Sequence, residues 1–217
     1  MKRWFIVLFV IFTTGILFPL MADGQRILGQ LSVGMNLTQV DGDEYYGFHK
    51  VGLNVGPGIL IPFGKNKKWA VGMELLYSQK GSHHKGNTDS TTFDLKYDYL
   101  EIPVLVHFTD KKVISGGLGF AYGQLINHQG TDSTFSQYPI TALSNRDVSV
   151  IADLQIRLWN RLWADVRYQY SMVRLREVQI VYPTKETRNQ FNNVITIRLT
   201  WVFNQEIPKR TKKVTED

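Results

Sequence analysis

From residue 26 onward the chain alternates apolar and polar positions in eight stretches, spanning 26–38, 49–63, 69–80, 97–108, 113–126, 147–158, 162–172 and 191–203. Counted every second residue, Leu100, Ile102, Val104, Val106 and Phe108 make one face, and Tyr99, Glu101, Pro103, Leu105 and His107 make the other. A period of two is a strand signal. The apolar set is large and branched in nearly every stretch: Leu31, Val33, Met35 and Leu37 in the first, Ile195, Ile197, Leu199, Trp201 and Phe203 in the last. The opposite set is small or charged, as in Ser115, Gly117, Gly119, Ala121 and Gly123. A soluble barrel buries its apolar face inside and shows the polar one to water. Here the polar face has the small residues that suit a narrow lumen, and the apolar face suits lipid.

Each stretch is long enough to cross a bilayer at a tilt, which takes ~9–11 residues. The joins after the second, fourth and sixth stretches are short, and those after the third, fifth and seventh are long. Outer-membrane barrels show this asymmetry, with short turns in the periplasm and long loops outside. The pattern predicts an all-β fold: an eight-stranded antiparallel up-and-down transmembrane β-barrel over 25–203, with a short basic periplasmic tail over 204–217. Aromatic residues gather at the two strand ends: Phe63, Trp69, Phe108, Trp201 and Phe203 near the short turns, Tyr77, Tyr122 and Tyr170 toward the long loops. Two such girdles mark the two membrane interfaces.

The first 24 residues read differently. Met1-Lys2-Arg3 is basic, Trp4 to Phe12 is unbroken apolar sequence, and Ala22-Asp23-Gly24 offers small residues at signal-peptidase spacing. A signal peptide over 1–24 is expected, with cleavage after Gly24 or Ala22. Its removal takes away two bases and one acid, and the formal charge falls from +6 to +5. Four of the remaining bases, Lys209, Arg210, Lys212 and Lys213, lie in the tail. The basic balance is therefore weak evidence for nucleic acid, which is not expected as a partner. The chain has no cysteine, which excludes disulfides, thiolate metal sites and lipid attachment through cysteine.

Eight strands enclose a lumen just wide enough for side chains. The inward phase carries Glu74, Glu101, Asp153 and Asp165 against Lys80, Arg157, Arg167 and Arg198. Four charges of each sign, shielded from water, predict a neutralised interior network, because a lone buried charge is costly. Glu74, Glu101, Asp153, Arg167 and Arg198 count to similar heights above the short turns. A three-residue connection at 159–161 sets Asp153 opposite Arg167 and Gln155 opposite Asp165.

Other chemistry is sparse. His83, His84, Lys85, Asp89 and Ser90 suggest a metal-binding or solvated external loop, without a second ligand pair at metal spacing. Ser90, His83 and Asp94 could be drawn as a hydrolytic set that nothing in the sequence orders. His49 and His107 read as lone strand-end residues. Phe135, Tyr138, Pro139, Ile140 and Leu143 are apolar for an exposed loop, and the tail could meet a periplasmic partner or anionic lipid. No catalytic residue, metal or cofactor is expected.

At Leu75-Leu-Tyr-Ser-Gln-Lys-Gly81 and Tyr99-Leu-Glu-Ile-Pro-Val-Leu105 the chain resembles the PorT-like outer membrane β-barrel family of Bacteroidetes-type bacteria. The resemblance covers about residues 25–203. It implies one small barrel behind a signal peptide and offers no catalytic residues to carry over. The family's namesake takes part in type IX secretion. The expected function is a non-enzymatic, monomeric structural or interaction module in the outer membrane, accessory to secretion or envelope assembly. A barrel-rim enzyme acting on lipid or peptide and a small-solute channel are the alternatives.

Overall fold

The structure, a computed structural model, describes residues 27–42, 47–85, 92–132, 143–180 and 186–204. The expected signal peptide and all but the first residue of the tail lie outside them, as do Asp89, Ser90, Phe135, Tyr138, Pro139 and Ile140.

Ten strands follow in order: β1 (Leu28–Asp41), β2 (Lys50–Phe63), β3 (Trp69–Glu74), β4 (Leu76–Lys85), β5 (Thr92–Asp110), β6 (Ile114–Asp132), β7 (Arg146–Arg157), β8 (Leu162–Ser171), β9 (Arg176–Ile180) and β10 (Glu186–Val202). Every pairing is antiparallel. β1 bonds both to β2 and to β10, so the sheet closes on itself. Closure leaves no strand edge facing lipid, which is what a bilayer demands of a sheet.

β3 and β4 are one stave of the barrel, and β9 continues the β8 stave along β10, so the ten strands make eight staves. The same register runs through both halves: Gly58 faces Glu74, and Val55 faces Tyr77. The break at Leu75 is a proline effect. Leu75 donates its N–H to the carbonyl of Pro57 at 2.9 Å, but Pro57 has no N–H to return.

The strand phases match the sequence pattern. Leu100, Ile102, Val104, Val106 and Phe108 face outward, while Tyr99, Glu101, Leu105 and His107 are buried inside. The strands run further than the periodicity indicates. β5 starts at Thr92 and not at Tyr97, β6 reaches Asp132 and not Ile126, and β10 begins at Glu186. The segment after β8, expected as a loop with strand as the alternative over 178–182, contains β9, which pairs with the early part of β10. The reason is physical: above the bilayer the outward side chains meet water, so they need not be apolar, and the alternation fades while the hydrogen-bond ladder continues. Inside that upper region Val40, Leu95, Tyr97, Tyr99 and Leu175 form a buried apolar stopper. At the opposite end Leu28, Trp163 and Val202 pack together beside Leu60.

Candidate functional site

The lumen is where the polar residues converge, and the ladder registers put them there. Glu74 is central. It accepts from Arg198 Nη1 and Nη2 at 3.1 and 2.9 Å, from Arg167 Nη1 at 2.9 Å and from Gln30 Nε2 at 2.8 Å. Arg198 Nε also donates to Asp165 Oδ2 at 2.6 Å, and Arg167 Nη2 donates to Asp153 Oδ2 at 3.1 Å. Asp153 stands opposite Arg167, and Gln155 stands opposite Asp165. All five charged members of this cluster are buried. Forked guanidinium contacts of this kind fix geometry as well as charge.

Glu101 belongs to a second cluster, nearer the long loops. Glu74 lies level with Pro103 in the β3–β5 register, so Glu101 sits two residues further along. Lys80 Nζ lies 2.6 Å from Glu101 Oε1 and 2.9 Å from Asp147 Oδ2, with its ammonium 5.1 Å from the centre of the Tyr99 ring. Asp147 also accepts from Ser171 and from Asn192. Gln169 Nε2 donates to Glu101 at 3.1 Å and to Ser149 at 2.7 Å. The two sequence motifs therefore meet across one strand pair, through Lys80, Tyr99 and Glu101.

Arg157 is not in either cluster. It is half-exposed near the short turns, with its guanidinium 4.7 Å from the Trp163 ring centre. Two residues that sequence reasoning passed over take part instead. Asp147 is one. The other is His107, whose Nε2 lies 3.2 Å from Asp153 Oδ2. With Arg157 outside and Asp147 inside, the acids of the two clusters are Glu74, Glu101, Asp147, Asp153 and Asp165, against the bases Lys80, Arg167 and Arg198 and the imidazole of His107.

Glycines on the inner face explain how these groups reach one another. Gly117 is the register partner of both His107 and Asp153. A Cβ there would lie 2.3 Å from Asp153 Oδ1 and 2.5 Å from His107 Cδ2. Gly123 stands in the same way between Glu101 and Asp147, and Gly58 between Gln30 and Glu74. A glycine on the stave between leaves the room in which side chains two staves apart approach one another. The usable signal was a glycine in register with two polar residues, and it needs the pairing before it can be read.

The outward face carries the girdles. Phe63, Trp69, Phe108, Trp201 and Phe203 are exposed at the short-turn end, with Trp69 and Phe108 ring centres 4.9 Å apart. Trp159, in the turn before β8, joins them and was not anticipated. Tyr122 is exposed and Tyr77 and Tyr170 are half-buried toward the other end; Tyr170 stacks on Phe191 at 6.3 Å.

The candidate set of Ser90, His83 and Asp94 falls only in part on described residues, since Ser90 lies outside them. His83 lies within β4 and is the register partner of Asp94. His49 is exposed and contacts the Gly47 carbonyl at 3.1 Å. Among the described residues, no three metal-binding side chains converge.

The family described as outer membrane protein beta-barrel domain matches residues 22–175. Among solved structures, the chain is similar to the crystal structure of Ail, the attachment invasion locus protein of Yersinia pestis, with 16% identity, 81% of this chain and 98% of that one covered, and a TM-score of 0.50. It is also similar to the outer membrane protein OprG of Pseudomonas aeruginosa, with 13% identity, 82% and 97% covered, and a TM-score of 0.45. At such identity the likeness to Ail speaks to fold alone. No curated protein matches the sequence.

Proposed function

The chain belongs to the outer membrane protein beta-barrel domain family, a protein of the bacterial outer membrane, and from that premise we propose that it works there as a non-enzymatic structural and interaction module. One observation carries the reading: the lumen is blocked at its mid-section and at its outer end. The Glu74–Arg167–Arg198 cluster occupies the mid-section, the Lys80 cage lies beside it, and Val40, Leu95, Tyr97, Tyr99 and Leu175 close the outer end. A solute path needs an open lumen, and eight strands leave little room for one. The interior carboxylates are engaged by guanidinium, ammonium, imidazole or amide groups, so none is offered to a substrate at the rim. The work of such a barrel falls to its ends. The meeting of Ser78–Gly81 with Tyr99–Pro103 through Lys80 and Glu101 supports a PorT-like kinship, and with it an accessory role in secretion or envelope assembly. The tail over 204–217 is a second place for a periplasmic partner.

Reconstituted into planar bilayers, the folded protein should pass no discrete current steps. Regular steps from the unmodified chain would overturn this reading in favour of a small-solute channel. Chemical cross-linking in cells with and without residues 205–217 separates the two ends: if the cross-linked partners are unchanged, the tail is not the contact.

A further inference from the structure

The short-turn end holds a cavity of about 460 Å³ that the interior clusters do not fill. Leu28, Leu60, Trp163 and Val202 give it an apolar wall. It is blind. His107, Gln30 and Gln155 line its inner side, and each is bonded into the Glu74 cluster at Asp153, Glu74 and Asp165. Around its rim stand Lys67, Lys68, Lys111, Lys112 and Arg157, against the single acid Asp110. Asp110 leans toward Lys68 at 3.9 Å, with both side chains half in solvent. Arg157 lies over Trp163, and its Nε has no hydrogen-bond partner among the described residues.

The backbone at this rim is unusual. Among the described residues, the non-glycine positions with positive φ are Lys67, Lys111, Lys112 and Asn204, and all four line the cavity. Val113 N–H closes a turn on the Asp110 carbonyl at 3.0 Å, and φ is 47° and 58° at its two central residues. Positive φ at both positions is the type I′ pattern, which favours asparagine and glycine. Lysine is the costlier choice there, and it adds two cations to the rim.

We propose that this mouth is a docking socket for an acidic peptide segment of a periplasmic protein, with one apolar side chain entering the cavity and the carboxylates spanning the lysines. The inference rests on the interaction reading above and names the partner's chemistry. The cations stand on the β2–β3 turn, the β5–β6 turn and the end of β7, around a cavity with an apolar wall, and an extended acidic chain offers both carboxylates at intervals and an apolar side chain to enter it. The cavity is within the usual size of a ligand pocket, room for a large side chain. Complementary charge would steer the encounter and hold the register.

The test uses the full-length protein in nanodiscs of zwitterionic lipid and a fluorescein-labelled peptide of about ten alternating glutamates and leucines, read by anisotropy at about 0.1 M salt. A lysine-for-glutamate counterpart and empty nanodiscs are the controls. The glutamate peptide should bind the protein, and more weakly as salt rises. Arg157→Gln and the pair Lys111→Asn/Lys112→Gly should each weaken it at least about tenfold. The lysine pair should also raise the temperature at which the folded barrel unfolds, since it relieves the turn; a purely structural role for those lysines would not raise stability while lowering binding. No binding of the glutamate peptide, equal binding of both peptides, or unchanged affinity in both variants would overturn the proposal. So would loss of binding when anionic lipid is added to the nanodiscs, which would assign the face to lipid. If the socket fails while the barrel still passes no current and still cross-links to partners elsewhere, the interaction reading survives it.

Discussion

Glu74→Gln should lower the stability of the folded barrel by about 3–5 kcal/mol, the range for breaking a buried ion pair on one side. The size follows from what Glu74 holds. Its two oxygens take three guanidinium contacts between 2.9 and 3.1 Å. A neutral amide would leave Arg167 and Arg198 side by side with only Asp153 and Asp165 to offset them, in a site almost closed to water. The measurement is the urea midpoint of reversible unfolding in detergent micelles. Removing Arg198 as well, in Glu74→Gln/Arg198→Met, should cost less than the sum of the two single changes by about 1–3 kcal/mol, because neither partner is then left alone. Strict additivity, or a single-mutant effect below about 1 kcal/mol, would mean that the cluster fills space without holding the barrel.

Gly81→Val should abolish folding as judged by electrophoresis in detergent, where a folded barrel migrates differently before and after boiling: boiled and unboiled samples of the variant should migrate together. Gly81 has φ of 148°, where an L side chain is strained by about 1–3 kcal/mol. A Cβ there would also lie 2.0 Å from the Leu95 carbonyl oxygen and 2.9 Å from its carbon. Those atoms belong to the neighbouring stave and cannot turn aside as a side-chain tip can, and crowding of this kind adds about 1–3 kcal/mol or more. The Gly81 carbonyl is itself held by the Thr38 hydroxyl at 2.7 Å. Gly116→Val is the control. Gly116 faces outward with nothing within 4 Å of its Cβ position, so that variant should keep the gel shift. If Gly81→Val keeps the shift too, the tight approach of β4 to β5 is not required.

Much of this molecule is readable before folding, and the reason lies in its solvent. Lipid on one side and a narrow lumen on the other force a choice at every residue, so Leu100 and Glu101 declare their faces by chemistry alone. The hairpin at 158–161 is short enough to set its register, which is why Asp153 opposite Arg167 could be read from spacing. Height around the barrel was less legible. Glu101 counted as level with Glu74, yet the registers set it two residues further along, beside Lys80 and Asp147. His107 looked solitary because its partner is two staves away, across Gly117. Arg157 has the inward phase, but it lies at the end of β7, where the lumen opens and the charge can stay half in water. Phase is a local property of a strand; neighbourhood across a barrel depends on register, and register depends on every turn between.

The seam has a consequence in time. β10 lies between β1 and β8 and pairs with both along much of its length, so seating it completes the circle. Gln30 meets Val202 there, and Asp41 meets Phe191. Before that happens, β1 and β8 are two open edges separated by well over a hundred residues of chain. Pairings of such long sequence separation form slowly, and open edges invite the wrong neighbour. A barrel still open at this seam is therefore exposed at both edges, and its Lys80 cage, which draws Asn192 from β10 onto Asp147, is complete only once β10 is seated.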